Sequence, residues 1–335
     1  MKLKLHTLNT ETLKTTLALV SHIRRFVILR FTTTHLLIIS VNGTSVTLEP
    51  QVWCKLQIHS IFDQIEIQSL NDNTISLEIN IELFLQTLRN FDRASNSEGL
   101  SIRLQRKESS GEQGVTVNNG RTASLALFYS NTNLNSNTIN HTFRIPVKIL
   151  KNTHEAMFLK EPELAGVDHM MRLPQEFAST YKRLDKFRKF GNNELVSIRT
   201  SRRDGGFLGF VLEEEGSFKV TISWNNKLEI QKPRKDSEMN QNTLTGDSLR
   251  TAYRELLEGA NNQDAPDDLD EDEDKEISVR LRDWRMASKI VSTCKRVIFL
   301  VAHQEACVLH CLLDDSGDVE IVYHITGTRV RSSIE

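Results

Sequence analysis

The 335-residue chain lacks several things that would have narrowed its chemistry at once. No stretch reaches the roughly 18 uncharged apolar residues that a membrane-spanning helix needs. The first ten residues, MKLKLHTLNT, alternate like a strand and contain no apolar signal core. Four cysteines in so long a chain form no disulfide framework, which points to a reducing compartment. The two glycosylation-type triplets, at Asn42 and Asn140, are read as chance matches, and Asn42-Gly43 as a hairpin turn between strands. Hydrolase and nucleotide-binding signatures (G-x-S-x-G, a P-loop, H-E-x-x-H) are absent. So are a zinc finger, a recognition-helix motif and an aromatic stacking platform, which argues against base-specific reading of nucleic acid.

The net charge of −2 hides an uneven distribution. Residues 1–150 carry 15 basic and 11 acidic groups, and residues 151–232 carry 14 and 12. Residues 233–275 carry 5 and 13, whereas 276–335 balance at 8 and 8. Without the acidic block the remainder is +6. That block contains DAPDDLDEDEDKE, too charged to bury a core, and is expected to be disordered.

Apolar periodicity predicts one plan written twice. Strands are expected at Lys2–Thr7, Phe26–Thr32, Leu36–Val41, Ser45–Glu49, Val52–Ile58, Phe62–Gln68 and Thr74–Ile79. Helices are expected over Thr10–Arg25 and Ile81–Asp92, the second capped by Asn80. Three strands follow, Leu100–Arg106, Ala123–Ser130 and Asn140–Ile149. After a connector at 151–166 the order recurs. Strand Asp168–Leu173 precedes a helix over Pro174–Phe190, with Pro174 at its first position. Four strands run to Gln231, and the acidic block interrupts them. Strand Glu276–Leu281, helix Arg282–Thr293 and three strands then run to Thr326. The fold class is therefore α+β, two topologically similar domains of the plan β-α-β(n)-α-βββ, at 1–150 and 167–326, with a tail at 327–335.

The four helices share a sign on their polar faces. Lys14, Ala18, Ser21 and Arg25 lie opposite the leucines of the first, with Arg24 beside them. Arg89 and Arg93 close the face of the second. Lys182, Lys186 and Lys189 recur at i, i+4 and i+7 in the third, flanked by Arg183 and Arg188. Arg282, Arg285 and Lys289 occupy the far side of the fourth. Any one such helix is adequately explained as a solvated amphipathic face. Four together imply a basic surface suited to a phosphate backbone, bound through counterion release and without base reading.

VWCKLQIHSIFDQIEIQSLNDNTISLEINIELFLQTLRNFDRA, with SIRLQRK, ASLALFYS and HTFRIPVKIL, resembles the first domain of the Hus-one-type subunit of the nine-one-one checkpoint clamp. MKLKL and SVRLRDWRMASKIVSTCKRVIFLVAHQEACVLHCLL are more similar to its budding-yeast branch, the Mec-three type. The resemblance runs from Met1 to about Thr326, excepting the acidic block. It implies a fold like that of proliferating cell nuclear antigen, helices facing a central hole, and a heterotrimeric ring completed by two other checkpoint clamp subunits. It further implies a nuclear, non-catalytic protein without cofactor or metal, loaded by a checkpoint clamp loader onto double-stranded DNA, where it promotes checkpoint kinase activation and repair. Carried over in this way, the DNA-facing residues are Lys14, Arg24, Arg25, Arg89, Arg93, Lys182, Lys186, Lys189, Arg285 and Lys289. The subunit interface falls on two edge strands, at Thr142, Arg144, Pro146 and Lys148 and at Phe218, Val220, Ile222 and Trp224. The connector at 151–166 matches the place where client peptides dock in such clamps.

Two other readings compete. His303, Cys307, His310 and Cys311 in VAHQEACVLHCLL invite a metal or thiol site. On a strand, however, Cys307 and Cys311 point to one face and His310 to the other, so the set does not converge. A protein–protein scaffold of the same duplicated fold that never surrounds DNA is the remaining alternative.

Overall fold

The computed structural model describes residues 1–40, 49–94, 98–106, 122–132, 137–150, 161, 164, 166–186, 195–214, 218–224, 226–231 and 274–328. The chain divides into two compact units, Met1–Gly43 with Val52–Lys160 and Thr44–Gln51 with Glu161–Glu335. The Asn42-Gly43 turn, the strand from Ser45, nearly all of the connector and of the acidic block, and the tail beyond Thr328 lie outside the described residues.

The first unit contains β1 (Lys2–Thr7), α1 (Glu11–Ser21), β2 (Phe26–Phe31), β3 (His35–Ser40), β4 (Gln51–Gln57), α2 (Ile58–Ile61) and β5 (Gln64–Gln68). It continues with β6 (Ile75–Asn80), α3 (Ile81–Asp92), β7 (Leu100–Arg106), β8 (Thr122–Thr132) and β9 (Thr138–Ile149). Its sheet reads β4-β3-β2-β6-β9-β8-β7-β1-β5, antiparallel throughout.

The second unit contains β10 (His169–Leu173), α4 (Phe177–Asp185), β11 (Leu195–Ser201), β12 (Phe207–Glu214), β13 (Phe218–Ser223) and β14 (Ile230–Gln231). After the acidic block come β15 (Lys275–Arg280), α5 (Leu281–Thr293), β16 (Arg296–Ala302), β17 (Ala306–Leu312) and β18 (Val319–Thr326). Its strands order as β14-β10-β16-β17-β18 and β13-β12-β11-β15.

The duplication expected from element order is present in the pairing itself. The run β4-β3-β2-β6 has its counterpart in β13-β12-β11-β15, and β9-β8-β7-β1-β5 in β18-β17-β16-β10-β14. A single backbone bond repeats as well. Just after β9 the Leu150 amide donates to the Ser76 carbonyl, and just after β18 the Thr328 amide donates to that of Ser278.

The elements follow from local chemistry. In β2 the residues Val27, Leu29 and Phe31 are buried while Phe26, Ile28 and Arg30 are not, the period of two that a sheet with one packed face imposes. In α3 the side chains of Phe84, Leu85, Leu88 and Phe91 are buried, a helical stripe. The carboxamide oxygen of Asn80 accepts the Glu82 amide at 3.1 Å, so the expected cap forms. The helix expected from Pro174 begins three residues later. Phe177 donates back to the Pro174 carbonyl at 3.0 Å, and Glu176 becomes the cap rather than a first-turn residue. A turn of helix at Ile58–Ile61 fills the gap between the two strands expected at Val52–Ile58 and Phe62–Gln68.

Each unit packs two of its helices side by side, α1 with α3 and α4 with α5. In the second unit Trp284 of α5 is the hub: its ring lies 5.0 Å from Phe210 of β12 and 5.5 Å from Phe299 of β16. One indole thus ties both strand groups to the helix. Truncating a buried aromatic of this kind costs about 3–5 kcal/mol.

Candidate nucleic-acid interface

Helix packing decides which cations remain available. Leu13, Leu17 and Val20 of α1 turn inward, which leaves Lys14 on the side facing α3. There its ammonium contacts Glu11 Oε2 and Asp92 Oδ2, each at 2.5 Å. Those two bonds raise its pKa, with the Asp92 bond the larger cause. Thr10 adds a hydroxyl bond to Asp92 Oδ1 at 2.5 Å, closing a network between the start of α1 and the end of α3. Lys14, expected to face DNA, is engaged by two carboxylates. The i, i+3 partner Glu11 was visible in sequence, but Asp92, 78 residues away, was not.

Arg24 is half-buried and Arg25 exposed, the latter with its guanidinium 5.9 Å from the Phe26 ring centroid. Arg89 and Arg93 are exposed on and just beyond α3, with no ion pair among the described residues. Glu82 and Asp92 share that exposed side.

The second unit differs. Arg285 and Lys289 are exposed on α5 and make no ion pair among the described residues; Arg282 is exposed too. The helix's single carboxylate, Asp283, is buried and held by Arg280 Nε at 2.6 Å, with Arg282 Nε at 3.6 Å. Burial raises the Asp283 pKa and the neighbouring guanidinium groups oppose that rise. On α4, Arg183 and Lys186 are exposed. Lys182 belongs to the helix, but its side chain, like Lys189 as a whole, is outside the described residues.

The expected interface strands divide similarly. β13 ends its strand group, pairing with β12 alone among the described residues. Phe218, Val220 and Ile222 are half-buried on one face, and Lys219, Thr221 and Ser223 are exposed on the other. Trp224 lies beyond the strand. It is half-buried; its amide donates to the Leu208 carbonyl at 2.9 Å and its ring sits 5.9 Å from Phe177, so it is turned toward α4 rather than along the open edge.

β9 pairs with β8 along its whole length and with β6 at Val147–Ile149. Lys148, expected on an open edge, therefore has neighbours on both sides, Thr122 and Glu78, and its ammonium is 3.8 Å from Glu78 Oε2. The physical reason is that β6 runs beside β9 until Asn80, where the chain turns into α3. The open edge stops at Pro146. Thr142, Arg144 and Pro146 are exposed along it.

The cysteine–histidine cluster is dispersed by the strand. Cys307 and Cys311 are buried, and burial drives the Cys307 thiol pKa strongly upward. His310 turns to the other face, with Nε2 2.7 Å from Glu320 Oε1. No group of three potential metal ligands converges among the described residues.

Comparison with known proteins accords with this geometry. A family model described as Hus1-like protein matches residues 1–329. The DNA damage checkpoint control protein MEC3 of Eremothecium gossypii is 24% identical, over 96% of this chain and 93% of that protein. MEC3 of Saccharomyces cerevisiae is 24% identical, over 95% and 96%. The checkpoint protein hus1 of Schizosaccharomyces pombe is 26% identical, over 80% and 78%. Among solved structures, the Proliferating Cellular Nuclear Antigen from Entamoeba histolytica superposes with a TM-score of 0.59 at 11% identity, covering 98% of this chain and 99% of that one. The fold is that of the proliferating cell nuclear antigen clamp.

Proposed function

The chain belongs to the Hus1-like family, and from that premise we propose that it is a non-catalytic subunit of a heterotrimeric checkpoint clamp. In this reading two other checkpoint clamp subunits complete a ring around double-stranded DNA. A checkpoint clamp loader places the ring at damage sites in the nucleus, where it promotes checkpoint kinase activation and repair. The observation that carries the reading is the exposed row Arg282, Arg285 and Lys289 on α5, whose only carboxylate is buried and already paired. An exposed row of cations, of which Arg285 and Lys289 make no ion pair among the described residues, suits a phosphate backbone that must slide past.

The chain's own contribution to such a ring is geometric. Among the described residues, β13 and the first part of β9 have one unpaired edge each, the kind of edge that can take a strand from another chain. The connector at 151–166 would receive client peptides. The carboxylates at Lys14 favour a second reading for the first unit, a scaffold of the same fold that does not encircle DNA.

Charge reversal separates the two. Replacing Lys182, Lys186 and Lys189 by Glu, in the full chain co-expressed with the two other clamp subunits, should abolish retention on gapped circular DNA while the 1:1:1 assembly persists. Retention equal to that of the unaltered protein would overturn the DNA-encircling reading in favour of the scaffold.

A further inference from the structure

The helices cover one face of the first unit's sheet, and the other face carries a concentration of charge that the DNA reading does not use. Tyr129 of β8 packs edge-on against Phe91 of α3, so Ala126 and Phe128, at even positions of the same strand, face away from the helices. Register extends that outer face across the sheet: Arg144 of β9 pairs with Ala126, Ala126 with Arg103 of β7, and Arg103 with Lys4 of β1. Side chains opposite one another in an antiparallel pair share a face. Lys4 in turn stands beside Glu66 of β5, which also pairs with Lys2. Four cations thus meet one carboxylate, and the two lysines share it.

Arg103 and Arg144 are the two without a carboxylate. Both are exposed, and neither makes an ion pair among the described residues. The Arg103 guanidinium lies 5.5 Å from the Phe128 ring centroid, and Arg144 Nε donates to Gln105 Oε1 at 3.4 Å. One arginine therefore leans from β7 onto β8, and the other crosses β8 to reach β7. Ala126, between them in the row, is fully buried. Two like charges drawn over one small residue repel each other. Only neutral groups fix them, so their charge stays available to an anion.

The duplication shows that the fold does not require this pair. The repeat that equates Leu150 with Thr328 makes Val322 the counterpart of Arg144. Register then makes His310 the counterpart of Ala126, Ile298 of Arg103 and Arg172 of Lys4. Val322 and Ile298 are apolar and buried. An arginine pair present in one copy of a repeated sheet and absent from the other is not a packing need.

The shape of the patch selects the anion. From β9 to β1 the row spans three strand spacings, about 14 Å, the length of about four extended residues. A duplex lying on the helix side would be screened from this face by the sheet itself. Phe128, the aromatic of the patch, is covered by Arg103 and offers no platform for a base. Two planar forks that converge from either side of β8 suit a doubly charged group with three acceptor oxygens better than a carboxylate.

We propose that Arg103 and Arg144 form a docking site for a phosphorylated side chain on an extended segment of another protein. The phosphate seats between the guanidinium groups and relieves their repulsion. The site does not depend on the ring reading: a strand joining β9 along its backbone edge leaves this face open, and a chain that never surrounds DNA keeps it.

The test uses the full chain and resin-bound pools of ten-residue peptides, degenerate except for one fixed phosphoserine. Equal pools with serine or aspartate at that position, and a ten-nucleotide single strand of DNA, stand beside it. The proposal expects the phosphoserine pool to retain at least about tenfold more protein than the serine or aspartate pool, with the excess falling as salt rises. Arg103→Gln and Arg144→Gln should each lower that retention about tenfold, at unchanged melting temperature because both side chains are exposed. Arg103→Lys should recover only part of the loss, since an ammonium makes no fork. Lys295→Gln, which removes an exposed cation of the second unit, should change nothing. Equal retention by the phosphoserine and serine pools overturns the site, and so does phosphoserine retention that survives both arginine variants. Equal retention by the aspartate pool overturns phosphate as the group recognised. Retention on the DNA strand that the same variants abolish, with none on the phosphoserine pool, overturns the protein partner in favour of nucleic acid.

Discussion

The two units share one strand order yet differ in how they deploy their charge. In the first, Lys14 is held between Glu11 and Asp92 at the meeting of α1 and α3. In the second, the carboxylate of α5 is drawn inward to Arg280, and Arg282, Arg285 and Lys289 are left on the surface. A basic residue at the right helical position is therefore not yet a free cation. What decides is whether the neighbouring helix brings a carboxylate within reach. If the assembled protein binds DNA as proposed, the second unit should contribute more to that binding than the first, per cationic residue present.

The largest difference expected between the units is in acid stability. His324 of β18 is buried, and burial lowers its pKa to about 4 from the usual 6.5. Its folded-state pKa lies below the unfolded value, so its contribution is complete above pH 6.5 and is lost as pH falls toward 4. At about 1.4 kcal/mol per unit this amounts to about 3 kcal/mol. By the repeat that equates Leu150 with Thr328, the first unit has Pro146 at this position, which does not titrate. Urea melts between pH 4 and 7 should show β18 and its neighbours losing amide protection first, and His324→Gln should remove that pH dependence. Equal acid sensitivity of the two units would break the comparison.

DNA binding gives the next effects. Replacing Arg282, Arg285 and Lys289 by Glu should reduce the slope of log affinity against log salt by about 2.7, at about 0.9 for each phosphate no longer neutralised. Replacing Arg89 and Arg93 should reduce it by about 1.8 on the same rule. Lys14→Ala should change it by less than about 0.5, because that ammonium is already neutralised locally. Salt titrations of the assembled complex on a short duplex would rank the three. A Lys14 effect as large as that of Arg285 alone would show that its two carboxylates release it on binding.

The smallest effect is on stability. Lys14 has a raised pKa, so its ion-pair contribution is present below the unfolded value near 10.4 and is lost as pH rises through the folded one. Exposed pairs of this kind contribute under about 1 kcal/mol and are screened by salt. Lys14→Met should accordingly shift the melt little at neutral pH and in high salt not at all.

Much of the fold was legible in advance because its signals are local. The alternation of Val27, Leu29 and Phe31 with exposed neighbours, the stripe Phe84–Leu85–Leu88–Phe91, and Asn80 as a cap all act within a few residues. What the sequence hid came from distant contacts. Asp92 reaches Lys14 across 78 residues. β6 covers Lys148 only because β9 returns beside it. Trp224 satisfied the strand pattern but turned inward to Phe177. Pro174 looked like a first helical residue, yet the helix waited for Phe177, the first side chain able to reach Phe210 and Trp284.

The claim that the assembled protein surrounds its DNA, rather than lying against it, is tested most directly by topology. The complete heterotrimer should be loaded onto a gapped circular plasmid, washed at high salt, and the plasmid then cut once with a restriction enzyme. Encirclement predicts that the protein resists the wash on the circle and is released by the single cut. Protein that washes off the intact circle, or that stays bound after linearisation with free ends, would contradict it.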